Sequence, residues 1–279
     1  MRWLILLLLV APASRVEWSE SHEIGILLPQ GWKIVQRDRG HTSFVIEGPV
    51  LGDGIPHAEL HRVAASEGAD LTATTTKLLE SVGKRPGWSV TTRKRKRIGP
   101  WPAERVGLTF TKDGIRGRAR FTVAWMGAHY FALEMSASAR MFPGGTFDRM
   151  EQSLQTRWST RTVPALGTVE VPAGWKVERD GTTLGIVAPA MGATPAKLRI
   201  GPAPEAPPRT DGTKAGPKLK LLGKTRETLE TREPIRGDVR AVLIRAAGWQ
   251  GVLFLADTTR EDLLPVFAEI LARVRTLKD

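Results

Sequence analysis

Leu28-Pro29-Gln30-Gly31-Trp32-Lys33-Ile34 and Val171-Pro172-Ala173-Gly174-Trp175-Lys176-Val177 are one motif written twice, and their reading decides the fold. From the chain's own composition, Pro-x-Gly-Trp-Lys matches a given window with a probability of about 10⁻⁵, so a second copy by chance is a poor explanation. The parallel continues outward. Arg37-Asp38-Arg39-Gly40 aligns with Arg179-Asp180-Gly181, and Ala58-Glu59-Leu60-His61 with Ala196-Lys197-Leu198-Arg199. A large ring directly after a turn, at equivalent places in two copies, reads as a core anchor.

Each copy then follows one order. Strands turn at Asp113-Gly114 and at Ala247-Gly248, and apolar strands return over Phe121 to Met135 and Trp249 to Ala256. Asp-Gly between alternating runs is a strong hairpin signal. A helix closes each copy. Leu263, Val266, Phe267, Ile270, Leu271 and Val274 make one apolar stripe, as do Phe147, Met150, Leu154 and Trp158. Thr258 or Thr259 can cap the last helix, and Pro265 suits only its first turn, so a start as late as Asp262 is also allowed. Ser159 to Leu166 reads as the connection between the copies.

The copies differ in the middle. The first predicts a helix capped by Asp70, with Leu71, Leu78, Leu79 and Val82 on one face and Gly83 at its end. The second has Gly201-Pro202-Ala203-Pro204-Glu205-Ala206-Pro207-Pro208, a proline density no helix tolerates, so residues 201–218 are expected to be an extended loop. The fold class is therefore α+β. Two tandem modules, 14–160 and 161–279, each pack an antiparallel sheet with helices, and the second lacks the middle helix.

Residues 1–13 place Arg2 before an apolar run and Ala11-Pro12-Ala13, the order of a secretory signal; a buried N-terminal helix is the alternative. Export implies a periplasmic or secreted protein. No later stretch is long enough to span a bilayer, so no integral membrane protein is expected.

The order of elements, together with Leu28-Pro29-x-Gly31-Trp32 and Val171-Pro172-x-Gly174-Trp175, resembles the PsbP-like fold over roughly residues 24–158 and 166–277. Members of that family are mostly non-catalytic binding or assembly modules, so the resemblance implies binding over chemistry. This chain lacks the lipobox cysteine of the DcrB-type members, and no functional residue of the family is matched here.

The 279 residues include 41 Lys plus Arg against 29 Asp plus Glu, a net charge of +12. The excess is spread: +1 in residues 1–13, +6 in 14–160 (21 minus 15) and +5 in 161–279 (19 minus 14). This favours anionic surfaces without selecting one, and no specific nucleic acid is expected. With no Cys, disulfides, thiol nucleophiles and zinc-thiolate sites are excluded.

His57, Glu59 and His61 fall on one side of a strand, and two imidazoles with a carboxylate suit a divalent metal. The aligned Pro195, Lys197 and Arg199 oppose that reading, and Ala58 and Leu60 look inward, leaving a solvated face. Arg93-Lys94-Arg95-Lys96-Arg97 would charge both faces of a strand, as an edge strand protected from aggregation does. Arg116, Arg118 and Arg120 form a second row; were the two rows neighbours, they would make a ledge for phosphate or carboxylate groups. Trp101, between Pro100 and Pro102, is the aromatic expected to be exposed for stacking.

No G-x-S-x-G, G-x-x-x-x-G-K, G-x-G-x-x-G or H-E-x-x-H occurs, and no cofactor is expected. The expected function is a non-catalytic, exported envelope binding or assembly module for a partner protein or ligand. The alternative is a cationic adaptor for lipid head groups, nucleic acid or acidic polymer.

Overall fold

The computed structural model describes residues 14–52, 54–64, 70–189, 196–202, 214–215, 219–221, 224–226, 229–232, 240–246, 249–255 and 262–276. Strands β1 (Arg15–Ser19) and β2 (Ile24–Leu28) pair first, followed by β3 (Lys33–Arg39), β4 (Thr42–Glu47) and β5 (His57–Val63). Helix α1 (Leu71–Gly83) precedes β6 (Trp88–Ile98), β7 (Trp101–Lys112), β8 (Ile115–Met126) and β9 (His129–Ser138). Helix α2 (Gly144–Gln152) and β10 (Gln155–Thr156) close the first half. The second half runs β11 (Trp158–Val163), β12 (Gly167–Pro172), β13 (Lys176–Asp180), β14 (Thr183–Val187), β15 (Lys197–Pro202) and β16 (Lys214–Ala215). There follow a hairpin of β17 (Leu219–Leu221) and β18 (Lys224–Arg226), then β19 (Leu229–Arg232), β20 (Arg240–Ala246), β21 (Trp249–Leu255), α3 (Leu264–Ala272) and β22 (Arg275–Thr276).

The fold is α+β, and all its ladders are antiparallel. The first large sheet has the order β3-β4-β5-β9-β8-β7-β6, and the second has β13-β14-β15-β21-β20-β19-β16, the same path through corresponding strands. Smaller sheets repeat the correspondence, β1-β2-β10 against β11-β12-β22. Gln155 and Thr156 pair with Gly25 and Ile24, as Arg275 and Thr276 pair with Thr168 and Gly167.

The repeated motif is a turn with one physical requirement. The Trp32 amide donates to the Pro29 carbonyl at 3.1 Å, and the Trp175 amide to Pro172 at 3.3 Å. Gly31 and Gly174 sit at φ 80° and 78°, the third position of a type II turn, where a side chain is strained. Each tryptophan then meets the phenylalanine of its closing helix edge-on. Trp32 lies 5.8 Å from Phe147 at 70°, and Trp175 lies 5.4 Å from Phe267 at 68°.

Several expectations are corrected. The returning strand is a hairpin of β8 and β9, because Gly127 at φ 62° breaks the expected run from Phe121 to Met135. Trp158 lies on β11, not on the α2 stripe, since the chain leaves the helix at Ser153. Ser159 to Val163 is strand, paired with β12, not a bare connection. Helix α3 starts at Leu264 behind Leu263, with no side-chain cap but with Pro265 in its first turn; Thr258 and Thr259 lie outside the described residues. Asp70 does cap α1, accepting from the Ala73 amide at 2.7 Å.

Among the described residues, no helix stands between β15 and β19; most of residues 201–218, the turn at Ala247-Gly248 and residues 1–13 lie outside them. Likewise, no described helix is long and apolar enough to cross a membrane.

Candidate cleft and charged surfaces

The buried side chains of both halves form one continuous apolar cluster, bridged by tryptophans. Trp175 of the second half stacks on Trp125 of β8 at 6.1 Å and meets Trp101 edge-on at 6.5 Å. Its indole N–H donates to the Gly127 carbonyl at 2.8 Å, which satisfies the one polar atom of a buried ring. A Cβ on Gly174 would stand 2.5 Å from the Ala128 Cβ, so the turn before Trp175 sits directly on the β8–β9 turn. Trp101 is 3% exposed and belongs to this bridge; its expected exposure is corrected, because the second half covers it.

Beside the bridge lies a cavity of about 470 Å³ between the halves. Its walls include Trp18, the Gly99-Pro100 turn, Gln152, Gln155, Arg157, Trp158, Glu269 and Arg273. Two arginines lie over two of its rings, Arg157 at 5.3 Å from Trp18 and Arg273 at 4.2 Å from Trp158. Carboxylates hold them there. Arg157 donates to Glu20 at 2.6 Å, and Arg273 donates to Glu170 at 2.5 Å and Glu269 at 3.0 Å. Rings, fixed guanidinium groups and the Gln152 and Gln155 amides give the cleft both stacking surfaces and hydrogen-bond donors. Sequence reasoning missed this site, since its lining comes from six separated stretches; the Arg157-Trp158 dipeptide at the junction was the one local cue.

The metal candidates form a row on β5. The Glu59 carboxylate bridges the Nε2 atoms of His57 and His61 at 2.7 and 2.9 Å. Burial alone would raise the Glu59 carboxyl, but the hydrogen bonds and charge of the two imidazoles hold it below its usual range. Ala58 and Leu60 are fully buried, as their alternation implies. No group of three His, Asp or Glu side chains is placed to hold a metal among the described residues. The alignment with the second half shifts in the β4–β5 ladder. Ala58 pairs with Ile46 whereas Leu198 pairs with Ile186, which sets Lys197, Arg199 and Gly201 at the places of His57, Glu59 and His61.

The five-cation run lies on the edge strand β6, and its charges divide between the two faces. Arg93 donates to Glu104 at 2.6 Å and to the Thr72 carbonyl, while Arg95 reaches the Thr72 hydroxyl of α1 at 2.9 Å. The hydrogen bond to Glu104 raises the Arg93 pKa above its ordinary value. On the other face, Lys96 pairs with Glu151 of α2 at 3.1 Å. Arg97, near the end of the strand, donates to the Pro100 and Asp262 carbonyls. Lys94 has no ion pair among the described residues.

Strand β7 separates this row from Arg116, Arg118 and Arg120 on β8, so the two rows do not lie on adjacent strands, and only Lys96 and Arg120 come together, around Glu151. Arg120 is committed to Asp148 at 2.7 Å, whereas Arg116 and Arg118 are exposed. The strongest charge cluster is the one sequence reasoning did not see. Glu151, fully buried, is held by Arg105, by Thr122 at 2.7 Å, by Lys96 and by Arg120 at 3.7 Å. Burial pushes its carboxyl up, but the hydrogen bonds from Arg105 and Thr122 and the charge of Lys96 outweigh it, and the acid is held below its ordinary value.

One further pair was missed. The Nδ1 atom of His22 meets the Ser43 hydroxyl at 2.8 Å, and Ser19 and Ser21 donate to Asp38 nearby. Ser43 and Ser19 are fully buried, and this cluster pins the β1–β2 turn to the β3–β4 hairpin. Burial, reinforced by Arg62, lowers the His22 pKa.

No protein-family model matches the chain, and no curated protein matches it by sequence. Solved structures resemble about half of it. A protein of unknown function from Pseudomonas aeruginosa aligns at 14% identity and a TM-score of 0.39, covering 52% of this chain and 99% of its own. LpqN, involved in cell envelope biogenesis of Mycobacterium tuberculosis, aligns at 13% identity and a TM-score of 0.40, covering 52% of this chain and 91% of its own. The cyanobacterial PsbP (CyanoP) of Synechocystis aligns at 13% identity and a TM-score of 0.40, covering 53% of this chain and 95% of its own.

Proposed function

We propose that the protein is a non-catalytic binding module, exported to the cell envelope, that holds a partner segment or ligand in the cleft between two duplicated units. In this reading, residues 1–13 are the export signal, and 14–160 and 161–279 are the units. The observation that carries it is the cleft, whose walls come from both halves and whose shape therefore depends on their docking. Its chemistry favours recognition. The lining carboxylate, Glu269, is ion-paired to Arg273, and the two arginines are held over indole rings, so the guanidinium groups are positioned as fixed donors.

A photo-crosslinking residue placed at Gln155, at the cleft mouth, tests this in cells of the source organism, with the same residue at Glu80 on α1 as control. A discrete adduct is expected from position 155 alone, and it should disappear when Trp158→Ala removes one wall. Adducts that are equal at both positions, or indifferent to Trp158→Ala, would overturn the cleft as the binding site.

A further inference from the structure

Seven large hydrophobic side chains are exposed among the described residues, and four of them, Val50, Ile55, Ile115 and Met141, share one end of the first sheet. Val50 and Ile55 flank the β4–β5 loop, which closes on itself through the Leu51 and Gly54 backbones at 2.8 and 3.0 Å. Met141 lies against that loop, 3.6 Å from where a Cβ on Gly52 would stand. The Ala139 amide donates to the Arg116 carbonyl at 2.9 Å, joining the Met141 loop to the start of β8 beside Ile115. Val50 is 72% exposed, the most of any of these side chains.

Cations rim the same end. Arg116, Arg118 and Arg140 are exposed and make no ion pair among the described residues, in contrast to Arg85, Arg93, Arg105, Arg120 and Arg157, each held by a carboxylate. Lys112 and Asp113 stand at the β7–β8 turn, and Asp53 belongs to the loop by sequence, so the positive charges outnumber the negative.

We propose that this end docks on the surface of an anionic phospholipid bilayer, with Val50, Ile55 and Met141 entering the head-group boundary and Arg116, Arg118 and Arg140 on lipid phosphates. Protruding aliphatic chains inside a cationic rim suit a bilayer, where apolar burial and charge attraction add. They suit a nucleic acid poorly, since aliphatic tips offer its phosphates and stacked bases nothing. The surface is separate from the cleft, and either assignment stands without the other.

The chain contains no cysteine, so Val50→Cys carries a single environment-sensitive fluorophore, with Glu80→Cys on α1 as control. The full-length protein is mixed with phosphatidylcholine vesicles with or without phosphatidylglycerol. Salt-sensitive co-sedimentation with the anionic vesicles is expected, with a blue shift at position 50 and none at 80. Joint Arg116→Gln, Arg118→Gln and Arg140→Gln should weaken binding about a hundredfold, at about fivefold per cation near the surface. The matching lysine variants should retain it, which separates lost charge from lost folding. Val50→Ser with Ile55→Ser should remove the salt-resistant part. The proposal fails if position 50 shows no shift on bound vesicles, if the glutamine variant binds as wild type, or if a DNA duplex binds more tightly than the vesicles.

Discussion

Trp32 and Trp175 occupy the same turn, meet the same kind of partner at nearly the same angle, and do different work. Trp32 is partly exposed and serves its own half, lying against Phe147. Trp175 is 5% exposed because, besides Phe267, it is covered by Trp125 and Trp101 of the other half. The helices diverge in the same way. Phe147 and Phe267 correspond, and by the same offset Glu151 corresponds to Leu271, so one half buries an ion cluster where the other buries an aliphatic chain. A local motif fixes its own geometry; its energetic weight is set by whatever the rest of the chain brings against it.

The sharpest way to break this comparison is to remove each ring. Trp175→Ala should cost about 4 kcal/mol in denaturant unfolding, with loss of the bridge and of the hydrogen bond to Gly127. Trp32→Ala should cost about 1–2 kcal/mol, because water already reaches that ring. Equal losses would mean that the docking contributes little.

Next in size is the buried carboxylate. Glu151→Gln should cost about 3 kcal/mol by leaving Lys96 without its counter-charge and Arg105 and Arg120 with Asp148 alone. A carboxyl held below its ordinary value of 4.5 contributes stability that is full above that pH and is lost as pH falls through the lower folded value. Wild type should therefore lose stability faster than Glu151→Gln on acidification below about pH 5. Parallel pH curves would remove Glu151 as the cause.

The turns give a smaller contrast. Gly31→Ala meets no atom within 4 Å, so only the strain of a positive φ applies, about 1 kcal/mol. Gly174→Ala adds the collision with Ala128 and should cost about 2–3 kcal/mol, read from the same unfolding curves. Smallest is Lys33→Gln, whose pair with Glu47 is solvent-exposed and should leave the unfolding midpoint unchanged within error.

The sequence was legible where local chemistry decides. Pro-x-Gly-Trp implies its turn, Asp113-Gly114 its hairpin with φ 51° and 76°, and Asp70 its cap. It was illegible where partners arrive from far along the chain. Arg93 to Arg97 read as a solvated run, yet Arg93 and Lys96 are tied to Glu104 and Glu151, and Arg97 to backbone carbonyls at Pro100 and Asp262. Trp101 read as exposed between its prolines, and Trp158 as one more helical position, because neither shows in sequence that the other half will lie over it.

By itself, then, the sequence determined the alternation of strands and helices, the twin turns and which strand faces are apolar, since these depend on backbone sterics and on side-chain periods of two or 3.6 residues. Only the tertiary structure decided which tryptophan bridges the halves, which cations remain free and where the cleft opens. Those properties belong to pairs of residues far apart in the chain, and a pair has no energy until folding brings its members into contact.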